Sequence, residues 1–143
     1  KREEKGETDE PLLLGEYRAA ASLQTAFNYQ KKAATVGFDW DSADGAWAKF
    51  AEEWDEFKAE IKSGDATSKM DELGDVLFTI VNIARFYKIS PEEAMLHANE
   101  KFARRFHSVE QQVKASGKAF ADFTLEELDA FWNEAKRKER GEN

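Results

Sequence analysis

The chain contains no cysteine, which excludes a disulfide framework and thiolate metal sites and fits a reducing compartment, with the cytoplasm as the default. It has no apolar run approaching the roughly 18 residues of a spanning helix. Its opening, Lys1-Arg2-Glu3-Glu4-Lys5-Gly6-Glu7, has none of the apolar core of a signal peptide. It also lacks surplus basic charge. Its 21 Lys and Arg stand against 29 Asp and Glu, a formal net charge of −8. That balance argues against a polymeric nucleic-acid partner, whose phosphates need a basic face, and against adhesion to anionic membranes. Histidine is scarce, at two residues.

What is present is enough for one core. The 143 residues are 41% apolar and include eleven Phe and four Trp, so the charge describes a surface and does not signal disorder. Residues 1 to 16 read as a polar lead-in or linker with a short apolar patch, Pro11-Leu12-Leu13-Leu14-Gly15, and residues 17 to 143 as a single domain. The chain begins at Lys1 and not at Met, and the expectation is a piece of a longer protein with an upstream unit.

The fold expected is all-α, a bundle of about five helices around an antiparallel hairpin. No segment has the alternation of a strand. A first helix is expected from about residue 18 to 34, ended by Val36-Gly37-Phe38-Asp39-Trp40, whose two aromatics should anchor a loop to the core. Between residues 46 and 62, Trp47, Phe50, Trp54, Phe57 and Ile61 recur every three or four residues, the spacing of an amphipathic helix. A turn at Ser63-Gly64-Asp65 leads to a helix over about 67 to 87. The next helix opens at Ser90-Pro91-Glu92-Glu93 with an N-cap, a first-turn proline and a capping box, and the last opens at Thr124-Leu125-Glu126-Glu127.

Carboxylates carry the chemistry. On the helix over 46 to 62, Lys49, Glu52, Glu53, Glu56 and Glu60 share the arc opposite the aromatic stripe. Like charges at that spacing repel by about 0.2–0.5 kcal/mol per pair, so the arc is either a solvated acidic face or a cation site. The following helix is apolar nearly all round from residue 76 to 84, yet Glu72 and Asp75 stand at its entrance. Unpaired carboxylates at a buried place require something positive. Reflection about Gly64 sets Glu56 opposite Glu72 and Glu53 opposite Asp75. Four convergent oxygen donors without Cys or His suit a hard cation, Mg²⁺ or Mn²⁺, better than Zn²⁺. A di-iron bundle would need Glu-x-x-His pairs, and neither His97 nor His107 follows a Glu by three.

Glu52-Glu53-Trp54-Asp55-Glu56 and Glu72-Leu73-Gly74-Asp75 follow the pattern E-E-x-x-E then E-x-x-D. With the text around residues 36–40, 71–78, 81–85, 98–102 and 104–106, the chain resembles the MazG nucleoside triphosphate pyrophosphohydrolases from about residue 28 onward, and in particular the C-terminal unit of members with two units in tandem. The resemblance implies an all-α bundle completed by homodimerisation and hydrolysis of nucleoside triphosphates to monophosphate and pyrophosphate with Mg²⁺. It implies metal binding by Glu53, Glu56, Glu72 and Asp75. Substrate contacts would fall on Lys49, Glu52, Lys101, Arg104 or Arg105, Trp132 and Lys136, with Lys69 near a place where members present a lysine. Trp132 either stacks on a base or belongs to the core. Glu52 or Glu53 would take the proton from an attacking water. The expected role is broad-specificity clean-up of the nucleotide pool. The alternatives are a related all-α pyrophosphatase for dUTP or phosphoribosyl-ATP, and a non-catalytic regulatory module that binds nucleotide or a partner protein.

Overall fold

The computed structural model describes residues 21–141. The lead-in expected over 1 to 16, its apolar patch and the helix start expected at 18 lie outside the described residues. Within them the chain is all-α: α1 (Ser22–Thr35), α2 (Ala43–Ser63), α3 (Ala66–Phe86), α4 (Pro91–Ser116), a single 3₁₀ turn at Phe120–Asp122, and α5 (Leu125–Glu139). The chain divides into two compact units between Ala94 and Met95. Among the described residues no helix is long and apolar enough to cross a membrane.

In the first unit, α2 and α3 form the hairpin that the turn at Gly64 demands, and α1 packs on α3. Short polar side chains begin each arm. The Ser42 hydroxyl accepts the Asp44 N–H at 3.2 Å, and the Asp65 carboxylate accepts the Ser68 N–H at 2.8 Å, satisfying donors that the helix leaves open. Gly64 closes α2 by donating its N–H to the Glu60 carbonyl at 2.7 Å. The core holds Ala46, Val76 and Val81.

The loop between α1 and α2 is held differently from the expectation. Phe38 is 82% exposed, so among the described residues it is not buried as a core anchor. The tie is ionic instead: Arg85 on α3 donates from both terminal nitrogens to the Asp39 carboxylate, at 3.1 and 2.5 Å. Trp40 folds onto the start of α2, where only a glycine leaves room. A Cβ on Gly45 would stand 2.6 Å from the Trp40 ring.

The aromatic stripe of α2 also departs from its assigned place. The rings touch one another in series, Trp47 to Phe50 at 6.5 Å, Phe50 to Trp54 at 6.1 Å and Trp54 to Phe57 at 6.2 Å, but Trp47, Trp54 and Ile61 remain nearly half exposed. The buried residues of α2 are Ala46 and Glu53. The face turned inward is therefore rotated by about one residue from the stripe, far enough to bring a carboxylate inside.

In the second unit, α4 and α5 bury Val109, Val113 and Ala135. Phe102 meets Trp132 at 5.2 Å, Phe106 meets Phe120 at 5.8 Å and Phe123 meets Phe131 at 5.4 Å. The α4 start is capped by Ser90, whose hydroxyl accepts the Glu93 N–H at 3.1 Å. At α5, Thr124 and Glu127 exchange side-chain and backbone bonds at 3.1 and 2.8 Å, a full capping box.

Candidate metal centre

The α2–α3 hairpin gathers carboxylates into two overlapping groups. Glu52, Glu53 and Glu56 can each bring an oxygen within 4.8 Å of the others, and so can Glu53, Glu72 and Asp75. Glu53 belongs to both. Reflection about Gly64 anticipated two separate rungs, whereas the helices converge on one buried carboxylate, only 7% exposed. His97 and His107 are both exposed on α4.

The charge balance is unfavourable as it stands. Lys49 lies 3.1 Å from Glu53 Oε2 and 3.5 Å from Glu52 Oε2. Its hydrogen bond to Glu53 holds its pKa above the ordinary lysine value. The negative charge of Glu53, helped by burial, pushes the Glu56 carboxyl above the usual range. Burial first, then neighbouring carboxylates, does the same for Glu72 and Asp75. Asp71, which the spacing pattern passed over, contributes to both of those shifts; its position four residues before Asp75 was the available signal.

The donor set fits a hard divalent cation. Glu53 and Glu72 each keep their Oε1 atom buried without a hydrogen-bond partner, a costly condition for an acceptor. Carboxylate oxygens with free lone pairs, converging around a shared residue, are the ligands that Mg²⁺ or Mn²⁺ takes. Of the four residues expected as ligands, Glu53, Glu72 and Asp75 stand in one group that could hold it, and Glu56 stands with Glu53 and Glu52 in the other.

Residues 44–109 match the family model described as the MazG nucleotide pyrophosphohydrolase domain. The chain belongs to the MazG family. The matched stretch spans α2 and α3 and most of α4, so both carboxylate groups lie inside it. The nucleoside triphosphate pyrophosphohydrolase/pyrophosphatase MazG of Thermotoga maritima is 36% identical over 115 residues, 80% of this chain and 44% of that protein. The nucleoside triphosphate pyrophosphohydrolase of Escherichia coli K12 is 39% identical over 124 residues, 85% of this chain and 47% of its own length. The Bacillus subtilis protein YabN, uncharacterised by its name, is 55% identical over 69 residues, 48% of this chain and 14% of that protein. The chain thus spans less than half the length of these relatives.

The remaining substrate candidates of this MazG chain divide between the units. Lys49 and Glu52 stand at the carboxylate groups, and Lys69 is partly buried in the first turn of α3. In the second unit, Lys101 is exposed on α4, and Lys136 follows Trp132 by one turn of α5. Arg104 and Arg105 converge on Glu139, their Nε atoms each 3.0 Å from one of its oxygens. These two guanidinium groups hold the Glu139 carboxyl below its ordinary pKa. Glu139 was missed because its partners lie 34 and 35 residues away, beyond any helical periodicity. Trp132 is packed against Phe102, with the Arg105 guanidinium 6.0 Å from its ring.

Proposed function

We propose that this chain hydrolyses nucleoside triphosphates to monophosphate and pyrophosphate with Mg²⁺, or Mn²⁺ in its place, across a broad range of bases, as clean-up of the cytoplasmic nucleotide pool. The observation that carries the reading is the pair of buried, unpartnered oxygens on Glu53 and Glu72 among carboxylates that raise one another's pKa. A solvated acidic face would leave those atoms to water. A divalent cation held by these carboxylates would neutralise them and would supply the positive charge that makes an acidic site receptive to a polyanion.

The reaction needs a water oxygen to bond to one phosphorus of the α–β linkage while that phosphorus loses its bond to the bridging oxygen, which separates monophosphate from pyrophosphate. The water's proton passes to Glu52. Glu53, buried and shared by both carboxylate groups, would serve as a ligand, whereas Glu52 is exposed beside it. Lys49, beside Glu52 and Glu53, would pair with a phosphate oxygen once a cation takes over the carboxylates. The unit works as half of a homodimer, because α3 leaves Leu73, Leu77 and Ile80 more than two-fifths exposed on one stripe.

Pyrophosphate release tested over ATP, GTP, CTP, UTP and their deoxy forms checks the proposal. Release from most of them, abolished by EDTA and restored by Mg²⁺, is the expected result. Strict preference for dUTP, or nucleotide binding with no release, would overturn it.

A further inference from the structure

The second unit holds a charge cluster that spacing along one helix would not assemble. Arg104 and Arg105 are consecutive on α4, and consecutive residues leave a helix about 100° apart without facing each other. Yet both close on one carboxylate. Arg104 Nε donates to Glu139 Oε2 at 3.0 Å and Arg105 Nε donates to Glu139 Oε1 at 3.0 Å, with a terminal Arg105 nitrogen 2.9 Å from the same oxygen. Glu139, its side chain 27% exposed, is what draws the two guanidinium groups together.

The place of that carboxylate is otherwise unfavourable. Glu139 ends α5, whose last turn carries Lys136, Arg137 and Lys138, the charges that suit the negative end of a helix dipole where an acid does not. The other carboxylate nearby, Glu134, is paired with Arg137. Glu139 is tied across to α4 instead, and the two guanidinium groups keep its carboxyl below the ordinary range, so it is ionised at neutral pH. Two cations then meet one anion. A positive charge is left over on a chain whose net charge is −8.

The donor count shows what that charge can hold. A guanidinium carries five N–H donors in a planar fork, so the pair has about ten against about four lone-pair sites on one carboxylate. Glu139 accepts from the Nε edge of each arginine, the edge nearer the backbone, and terminal donors remain for another acceptor. Arg105 is held in place, its side chain 18% exposed and its guanidinium 6.0 Å from the Trp132 ring. Arg104, 58% exposed, lines a cavity of about 430 Å³ together with Ser108, Gln111 and Gln112. Paired guanidinium tips match the oxygens of a phosphate better than any other small anion's, because phosphate accepts two parallel N–H bonds from each.

We propose that Glu139 is a positioning residue: by gripping the Nε edges of Arg104 and Arg105 it sets their terminal nitrogens as one fork for phosphate oxygens of the substrate. The proposal rests on the reading of that substrate as a nucleoside triphosphate. A carboxylate that merely stood in for phosphate would have to leave before phosphate could bind. The two roles give opposite signs when its charge is removed.

The test follows inorganic tripolyphosphate binding in EDTA, with the Nε–H signals of ¹⁵N-labelled arginine as the probe. Tripolyphosphate should shift Arg104 and Arg105 in the wild type. Glu139→Gln removes the charge and keeps the shape, but its amide has a single oxygen to accept with. It should weaken tripolyphosphate binding about five- to tenfold, since a guanidinium released from the clasp must be ordered again on binding. KM for ATP should rise by a similar factor with kcat nearly unchanged, and Glu139→Asp, which keeps the charge and both oxygens, should recover part of the loss. Arg104→Gln, at a mostly exposed position, removes one arm of the fork without touching Glu139 and should weaken binding as much, which keeps the test open if Glu139→Gln fails to fold. Tighter binding by Glu139→Gln would make the carboxylate a competitor and overturn the proposal. So would a variant that melts lower with unaltered tripolyphosphate affinity, since the clasp would then be a packing contact. Tripolyphosphate that shifts both arginines in a protein hydrolysing no triphosphate would uphold the fork and sink the hydrolase reading, whereas hydrolysis with both arginine signals unmoved would do the reverse.

Discussion

Glu53 is buried, belongs to both carboxylate groups and raises the pKa of its neighbours, which makes it the residue whose replacement separates stability from function. Glu53→Gln removes the repelling charge, so the metal-free protein should melt no lower than wild type. The stabilisation by Mg²⁺ should vanish. At a hundredfold excess over its Kd, a bound cation contributes about 2.7 kcal/mol, which thermal melts with and without Mg²⁺ resolve easily. Glu52→Gln should keep that stabilisation and lose roughly a hundredfold in turnover, the scale of one general base. If Glu52→Gln hydrolysed normally, the proton would have another acceptor.

Asp39 gives a second test at the same scale, with a defined pH window. Its hydrogen bonds to Arg85 hold its carboxyl below the ordinary value, so the folded state binds the proton less readily than the unfolded state. The stabilisation is therefore fully present above the unfolded pKa of about 3.9 and is lost as pH falls through the folded value. Asp39→Asn should cost about 1–2 kcal/mol at pH 7, since Arg85 is only 13% exposed and loses a charged partner. The difference from wild type should disappear in acid. A difference that persisted at pH 2 would assign the effect to packing.

Among the elements, helix starts were legible because capping is local: Ser90, Thr124 and Glu127 act within one turn of the positions they mark. The pairing of Glu53 with Asp75 was legible because reflection about a tight turn needs only the position of Gly64. The buried face of α2 was not. Hydrophobic periodicity selects the stripe of Trp47, Trp54 and Ile61 for the interior, but the packing against α3 brings in Glu53, and nothing in the spacing says that a carboxylate is wanted inside. The tie between the loop and α3 was illegible for a related reason. Asp39 and Arg85 come from two segments and meet only in the tertiary structure. Gly45 tests the joint between loop and helix. Alanine gains about 1 kcal/mol of helix propensity over glycine, yet its Cβ would meet the Trp40 ring at 2.6 Å. Gly45→Ala should lower the melting temperature and move the Trp40 indole signal. A higher melting temperature with an unmoved indole would mean that the ring has no fixed seat there.

For the whole molecule, the exposed apolar stripe of α3 is the surface that the proposed homodimer would cover. Met70, Leu73, Leu77 and Ile80 recur at three, four and three residues, which keeps them on one side of the helix, and their exposure runs from 42% to 70%. The half-exposed rings of Trp47 and Trp54 stand on the partner arm of the hairpin. In the proposed dimer such a patch would meet its own copy across a two-fold axis, each copy offering the same ridge and receiving its equivalent. Light scattering at micromolar concentration should give twice the chain mass. Leu77→Asp and Ile80→Asp place a charge in a seam that must otherwise be desolvated, so each should yield a monomer and cost several-fold in pyrophosphate release, while helix content by circular dichroism stays near wild type. Neither residue belongs to the carboxylate groups. Lost activity together with lost dimer would therefore trace to assembly, whereas a fully active monomer would make the second copy dispensable for the chemistry and overturn the dimer as the working form.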